Sequence, residues 1–206
     1  MPYISPYIGR TGLVDAVIRS KIPMLQSGQL EPLERRLLFS GPPGLAKTEL
    51  ADQLAHAIAG HPLNVEFRMG TQVNVELVRD WLRSAPYRPI FGGLFVKIID
   101  EVDTIPPTAI TEIRQYLDFL PRWVVIFATT NKLPNDLAPT LQTRFKVYKF
   151  QGVPTSQVAE YLTRRFPEVP PAVLADIATQ TAGNVRAAIT DASAHLDVIR
   201  FKQLAA

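Results

Sequence analysis

Two rhythms of apolar residues alternate along the first 150 positions. Short apolar runs of strand length occur at Arg36 to Ser40, Leu94 to Ile99 and Trp123 to Ala128, with a looser alternation at Leu63 to Met69, and Phe145 to Phe150 reads as the last strand. Between them, apolar residues recur every three or four positions, the spacing that lines one face of a helix. This second rhythm predicts helices over Thr11 to Gln26, Lys47 to Ala59, Val75 to Ser84 and Pro107 to Leu120. Leu50, Leu54, Ala57 and Ile58 form the expected buried stripe of the second of these, and Trp81 reads as core in the third. Lys97 alone breaks the run from Leu94 to Ile99; its stem can lie along apolar surface while the ammonium reaches the strand end or solvent. Residues 84–93 hold two prolines and two glycines and read as a loop, and Pro134 to Gln142 as irregular or briefly helical.

Strands that alternate with helices build a doubly wound parallel sheet, and its middle strands are unbroken apolar runs because both faces are covered. After Gln151-Gly152 the strand rhythm stops. Three helices follow, over Thr155 to Phe166, Pro171 to Thr181 and Val185 to about Phe201. The expected organisation is an α/β domain over 1–151 and a small three-helix domain over 152–206.

The most informative stretch is Leu37 to Thr48, LLFSGPPGLAKT. An apolar strand ends at Ser40, a loop carries Gly41, Pro42, Pro43, Gly44, Leu45 and Ala46, and Lys47-Thr48-Glu49 open a helix. Main-chain N–H groups of such a loop and the positive end of the following helix together hold a polyphosphate. Lys47 is placed to reach the terminal phosphates and Thr48 to offer its hydroxyl to Mg²⁺. The usual pattern has glycine before the lysine; Ala46 is expected to fit by adopting helical φ.

Asp100-Glu101 follow the strand VKII directly. A carboxylate there can hold Mg²⁺ through water, and its neighbour can polarise an attacking water, so Asp100 is read as the metal residue and Glu101 as the general base. Asp103 continues the acidity, so a surface acidic loop is the plainer alternative for the pair alone. Asn131 ends the strand VVIFATTN, where an amide can bond a γ-phosphate oxygen and a water together. Arg144, in LQTRF, can stabilise charge on a γ-phosphate when supplied by a neighbouring subunit. Arg186, in GNVRAAI, opens the last helix. Taken singly, either arginine is more safely read as a surface ion pair. His56 and His61 read as surface residues.

Composition narrows the classes further. The 206 residues are 47% hydrophobic and 20% charged, enough for one substantial core and a small companion. Net charge is +3, which permits contact with nucleic acid without requiring it. The absence of cysteine excludes disulfides and thiolate metal sites. The N-terminus has no apolar core after a basic stretch, and the apolar runs are too short to span a bilayer, so the expectation is a cytoplasmic protein with no membrane partner.

The ordered set Ile8-Gly9, GPPGLAKT, KIIDEVD, ATTN, LQTRF and GNVRAAI resembles the AAA+ ATPases, and within them the clamp-loader subunits and Holliday-junction branch-migration motors. The resemblance implies a P-loop NTPase with a five-stranded parallel sheet in the order 5-1-4-3-2 and a helical lid. It implies ATP and Mg²⁺ as cofactors. By position, Gly41, Gly44, Lys47 and Thr48 match the phosphate-loop motif, and Asp100 and Glu101 the acidic motif. Asn131 matches the sensor of the fourth strand, Arg144 the trans-acting finger and Arg186 the lid sensor. Tyr7, Ile8 and Gly9 fall where the family packs the adenine base. A ring or spiral of this chain, alone or with related subunits, is implied, with DNA and a DNA-bound protein as clients. Arg114, on the helix from Pro107, is then a candidate DNA contact.

Some features depart from the clamp-loader pattern. Thr143 and Phe145 flank Arg144 in place of the usual Ser and Cys, no zinc module lies between the phosphate loop and the acid pair, and Ala46 resembles the MoxR-like branch. Clamp loaders also continue past the lid into a helical collar, which these 206 residues do not include; the expectation is either a piece of a longer chain or a compact AAA+ module that assembles by its ATPase faces alone. A protein remodeller and an ATP-gated assembly protein with little turnover are the alternatives to a DNA-acting ring.

Overall fold

The computed structural model describes residues 23–24 and 32–204. The expected helix over Thr11 to Gln26, apart from positions 23–24, and the expected adenine-packing residues Tyr7, Ile8 and Gly9 lie outside the described residues. Five strands are present: β1 Arg36–Ser40, β2 Val65–Met69, β3 Phe95–Asp100, β4 Val124–Thr130 and β5 Lys146–Lys149. Seven α-helices accompany them among the described residues beyond position 32. They are α1 Lys47–Ala59, α2 Val75–Ser84, α3 Pro107–Asp118, the single turn α4 Pro139–Gln142, α5 Thr155–Arg165, α6 Pro171–Gln180 and α7 Val185–Leu204.

The strands form one sheet in the order β2-β3-β4-β1-β5, the expected 5-1-4-3-2 read from its other edge, and every neighbouring pair is parallel. The register sets Ser40 beside Thr130 and Met69 beside Asp100, so the carboxyl ends carrying the phosphate loop and the acid pair lie on one edge. Period-two alternation sends Leu38, Ile99, Ile126 and Ala128 to the face covered by α2 and α3, where Trp81, Ile113 and Leu117 complete the core. Helix α1 packs on β3 and β4. Its stripe runs through Leu50, Ala51, Leu54, Ala55 and Ile58; Ala57 is only half-buried, because a 3.6-residue period carries the buried line through position 55 instead.

Two other expectations shift. The strand begins at Val65, since Pro62–Asn64 forms a short 3-10 turn capped by the His61 ring and leaves Leu63 74% exposed. Lys97 neither snorkels nor sits at a strand end. It is buried in the middle of β3, its Nζ 2.6 Å from Glu66 and 4.6 Å from the centre of the Trp81 ring. Burial pushes its pKa down despite the Glu66 charge.

Contacts divide the chain into two units. One takes in Lys47–Lys149 and the described part of Gly12–Gly41; the other takes in Pro42–Ala46 and the described part of Phe150–Ala206. This differs from a simple cut near position 152, because Leu45 from the loop after β1 is part of the helical unit's core with Val158, Leu162, Leu174 and Ala188. No helix among the described residues is long and apolar enough to cross a membrane.

Candidate nucleotide site

At the carboxyl edge of the sheet, β1 and β4 are neighbours whose onward connections run to opposite sides, the position where doubly wound sheets bind ligands. The Gly41 N–H donates to the Thr130 carbonyl at 3.3 Å and carries the chain out of β1. Lys47, in the first turn of α1, is 6% exposed. Its ammonium donates to the Gly41 carbonyl at 2.8 Å and to Asn131 Oδ1 at 2.9 Å. Thr48 Oγ1 donates to Asp100 Oδ1 at 2.7 Å. Thus Lys47, Thr48, Asp100 and Asn131 converge on the mouth of one crevice. Glu49 points outward, its carboxylate accepting from Gln53 at 2.9 Å.

The loop itself corrects one expectation. Ala46 has φ 55°, in the left-handed region and not the helical one, and Gly44 has φ 78°. A loop that turns its amides inward before entering a helix needs left-handed residues, and at position 46 a methyl is carried at a cost of about 1–2 kcal/mol. Gly44 has a second constraint: a Cβ there would lie 1.8 Å from Asn184 Oδ1. That same oxygen caps α7 by accepting from the Ala187 N–H at 3.1 Å.

The acid pair is built by its neighbours. Asp100 Oδ1 also accepts a very short bond from Thr129 Oγ1, and Thr129 in turn accepts the Glu101 N–H at 3.1 Å. Glu101 is left-handed, with φ 52°. Thr104 Oγ1 closes the turn onto the Glu101 carbonyl at 2.8 Å, and a Cβ at Gly70 would lie 2.2 Å from that same carbonyl oxygen. A strained residue held from several sides fixes where its side chain leaves the strand end. Asp103 is spoken for elsewhere: Thr130 Oγ1 donates to it at 2.6 Å and Lys132 Nζ stands 3.6 Å away. Sequence reasoning missed Thr129, Gly70 and Asn184, because each acts through a partner dozens of residues away.

Arg144 pairs with Asp118 at the end of α3, Nε to Oδ1 at 2.8 Å and Nη2 to Oδ2 at 3.0 Å. Arg186 lies exposed in the first turn of α7. Arg114 is exposed, its Nε 3.9 Å from Asp118 Oδ2. Oxygen donors suited to Mg²⁺ are present in Thr48 and Asp100, the small number of protein ligands this ion takes alongside phosphates and water.

A family model described as the ATPase family associated with various cellular activities (AAA) matches residues 37–153, more than half of the chain. The chain belongs to the AAA family. The replication factor C small subunit of Archaeoglobus fulgidus is 29% identical over 135 residues, covering 61% of this chain and 41% of that protein. The Methanocella arvoryzae counterpart is 27% identical over 153 residues, covering 72% and 46%. These matches take in less than half the length of either relative. The solved Thermotoga maritima RuvB Holliday junction branch migration motor aligns over 94% of this AAA chain and 64% of its own, with a TM-score of 0.63 and 22% identity. That likeness is one of fold.

Proposed function

We propose that this chain is an ATP-hydrolysing AAA+ module that works between subunits of a clamp-loader-like assembly acting on DNA in replication or repair. The observation that carries the reading is the convergence of Lys47, Asn131, Thr48 and Asp100 at the β1–β4 seam. Main-chain N–H groups of Gly44 to Thr48 cradle the phosphates, and Glu49 and Arg186 border the nucleotide. Thr48 and Asp100 would hold Mg²⁺, which would offset the phosphate charge. Asn131 aligns the water and Glu101 takes its proton. The water oxygen bonds to the γ-phosphorus as the β–γ bridging bond breaks, its electron pair leaving with ADP. Arg144 of a neighbouring subunit meets the charge that develops, a contribution worth about 10³–10⁵ in rate.

Glu101→Gln tests the step. It is expected to retain ATP binding while phosphate release falls by at least about 10²-fold; unchanged release removes Glu101 from the mechanism. The DNA assignment is supported by the replication factor C relatives. It predicts stimulation by DNA that weakens steeply as salt rises, because counterions released into a saltier solution gain less entropy.

A protein remodeller is the second reading. One observation favours it: the loop after α2 holds Tyr87, Ile90 and Phe91 out at 71%, 94% and 56% exposure, more apolar surface than a loop keeps without a protein partner nearby. Absence of DNA binding at low salt, with hydrolysis intact, selects this reading.

A further inference from the structure

Asp118 is a single carboxylate set among several guanidinium groups. It grips Arg144 bidentately, and Arg114 approaches it from one turn earlier on α3. Arg36, at the start of β1, is 8% exposed and donates a short bond to the Leu117 carbonyl next door. Arg35 is also buried and donates to the Val124 carbonyl at 3.3 Å. The charges of Arg144, Arg114 and Arg36 hold the Asp118 carboxyl below its ordinary range, the Arg144 hydrogen bond being the largest cause. Burial pushes Arg36 down, Asp118 pushes it back up, and Arg144 and Arg35 push it down again, so Asp118 is the anion that offsets the repulsion among these cations.

The use of Arg144's donors is uneven. Asp118 occupies the Nε edge, whereas Nη1 has only long contacts to the Thr140 carbonyl at 3.3 Å and Thr143 Oγ1 at 3.4 Å. A guanidinium gripped by its Nε edge keeps N–H groups at its tip for a second acceptor, and a bidentate grip fixes the plane in which they point. Four rotatable bonds are thereby held near one geometry, next to a buried arginine that would otherwise drive the group away.

We propose that Asp118 is the positioning residue of the trans-acting finger: by gripping the Nε edge of Arg144 and screening it from Arg36, it fixes the plane in which the remaining N–H groups of the guanidinium are offered to the next subunit. The inference rests on the reading of Arg144 as that finger. Asp118 touches no nucleotide in its own subunit; it acts through Arg144 on the site of the next.

Mixed assemblies of the full chain test it, with DNA and saturating ATP present. A Glu101→Gln donor keeps Arg144 but cannot hydrolyse; an Arg144→Ala acceptor keeps Glu101 but lacks the finger. Asp118→Asn placed in the donor is expected to lower the recovered turnover about 10- to 100-fold, the effect of a reacting group held off its geometry. Placed in the acceptor, where there is no Arg144 to aim, the loss is expected to be at least tenfold smaller. Asp118→Glu in the donor, which keeps the charge, is expected to restore turnover to within a few-fold. Equal losses from donor and acceptor, or turnover unchanged or raised by the donor substitution, overturn the proposal. If the two parent variants form a mixed assembly by mass yet recover no turnover, the finger reading fails first and Asp118 has nothing to position.

Discussion

The ammonium of Lys47 is bonded to Asn131 Oδ1 at 2.9 Å, joining the phosphate loop to the end of β4 across 84 positions of sequence. The other bond of this buried cation shown at the loop goes to the neutral Gly41 carbonyl. A phosphate offers this ammonium an anionic acceptor where these two are neutral, so the two residues separate in their effects. Lys47→Ala is expected to weaken ATP binding about 10- to 100-fold, the loss of a charged hydrogen bond. Asn131→Ala is expected to leave affinity within a few-fold and cut turnover about 10²-fold. Titration with a fluorescent nucleotide and a phosphate-release assay on the same preparations check the split.

Ala46 carries left-handed strain that glycine does not. Ala46→Gly relieves about 1–2 kcal/mol in the fold but adds freedom to the unfolded chain. The net expectation is a gain of up to about 1 kcal/mol, read as a higher urea midpoint with unchanged slope. A lower midpoint contradicts the left-handed geometry at this position.

Gly70 sets the place of Glu101 without touching any nucleotide. Its missing Cβ leaves room for the Glu101 carbonyl, which would otherwise lie 2.2 Å away. Gly70→Ala is therefore expected to shift the Glu101 turn and lower turnover by about tenfold or more, while ATP affinity stays within about threefold. Steady-state kinetics beside equilibrium binding distinguish this from general unfolding.

Asp118 confers an acid-sensitive share of stability. Its pKa is lowered from 3.8 in the fold, chiefly by the Arg144 hydrogen bond, so the unfolded chain takes up the proton first as pH falls. The contribution is full above that ordinary value and is lost as pH falls through the folded one. The stability difference between the wild type and Asp118→Asn is expected to be constant from pH 7 to about pH 5 and to shrink below pH 4. Urea unfolding across that range measures it.

Much of the architecture was legible because it depends on short-range periodicity. The runs Arg36 to Ser40 and Lys47 to about Ala59 are the observed β1 and α1, since each has an apolar pattern bounded by a glycine-bearing turn. Leu63 was misread as strand because proline and the His61 cap, a local competitor, claimed it first. The family motifs likewise pointed to Lys47, Thr48, Asp100 and Asn131 before any geometry was known.

By itself, then, the amino-acid order determined the elements, the order of the sheet through the family's motifs, and which residue types could handle a phosphate. Only the tertiary structure decided their partners. Spacing along the chain carries no information on which group fills the space left by Gly70 or Gly44, on Ala46 entering the left-handed region, or on Lys97 being matched by Glu66 and Trp81 inside the sheet. The same holds for Arg144, an exposed-looking arginine in sequence that the fold sets on Asp118. Those pairings join residues brought together by the parallel register and by helix packing, and contact at such separations is settled by packing the whole core rather than by any local preference.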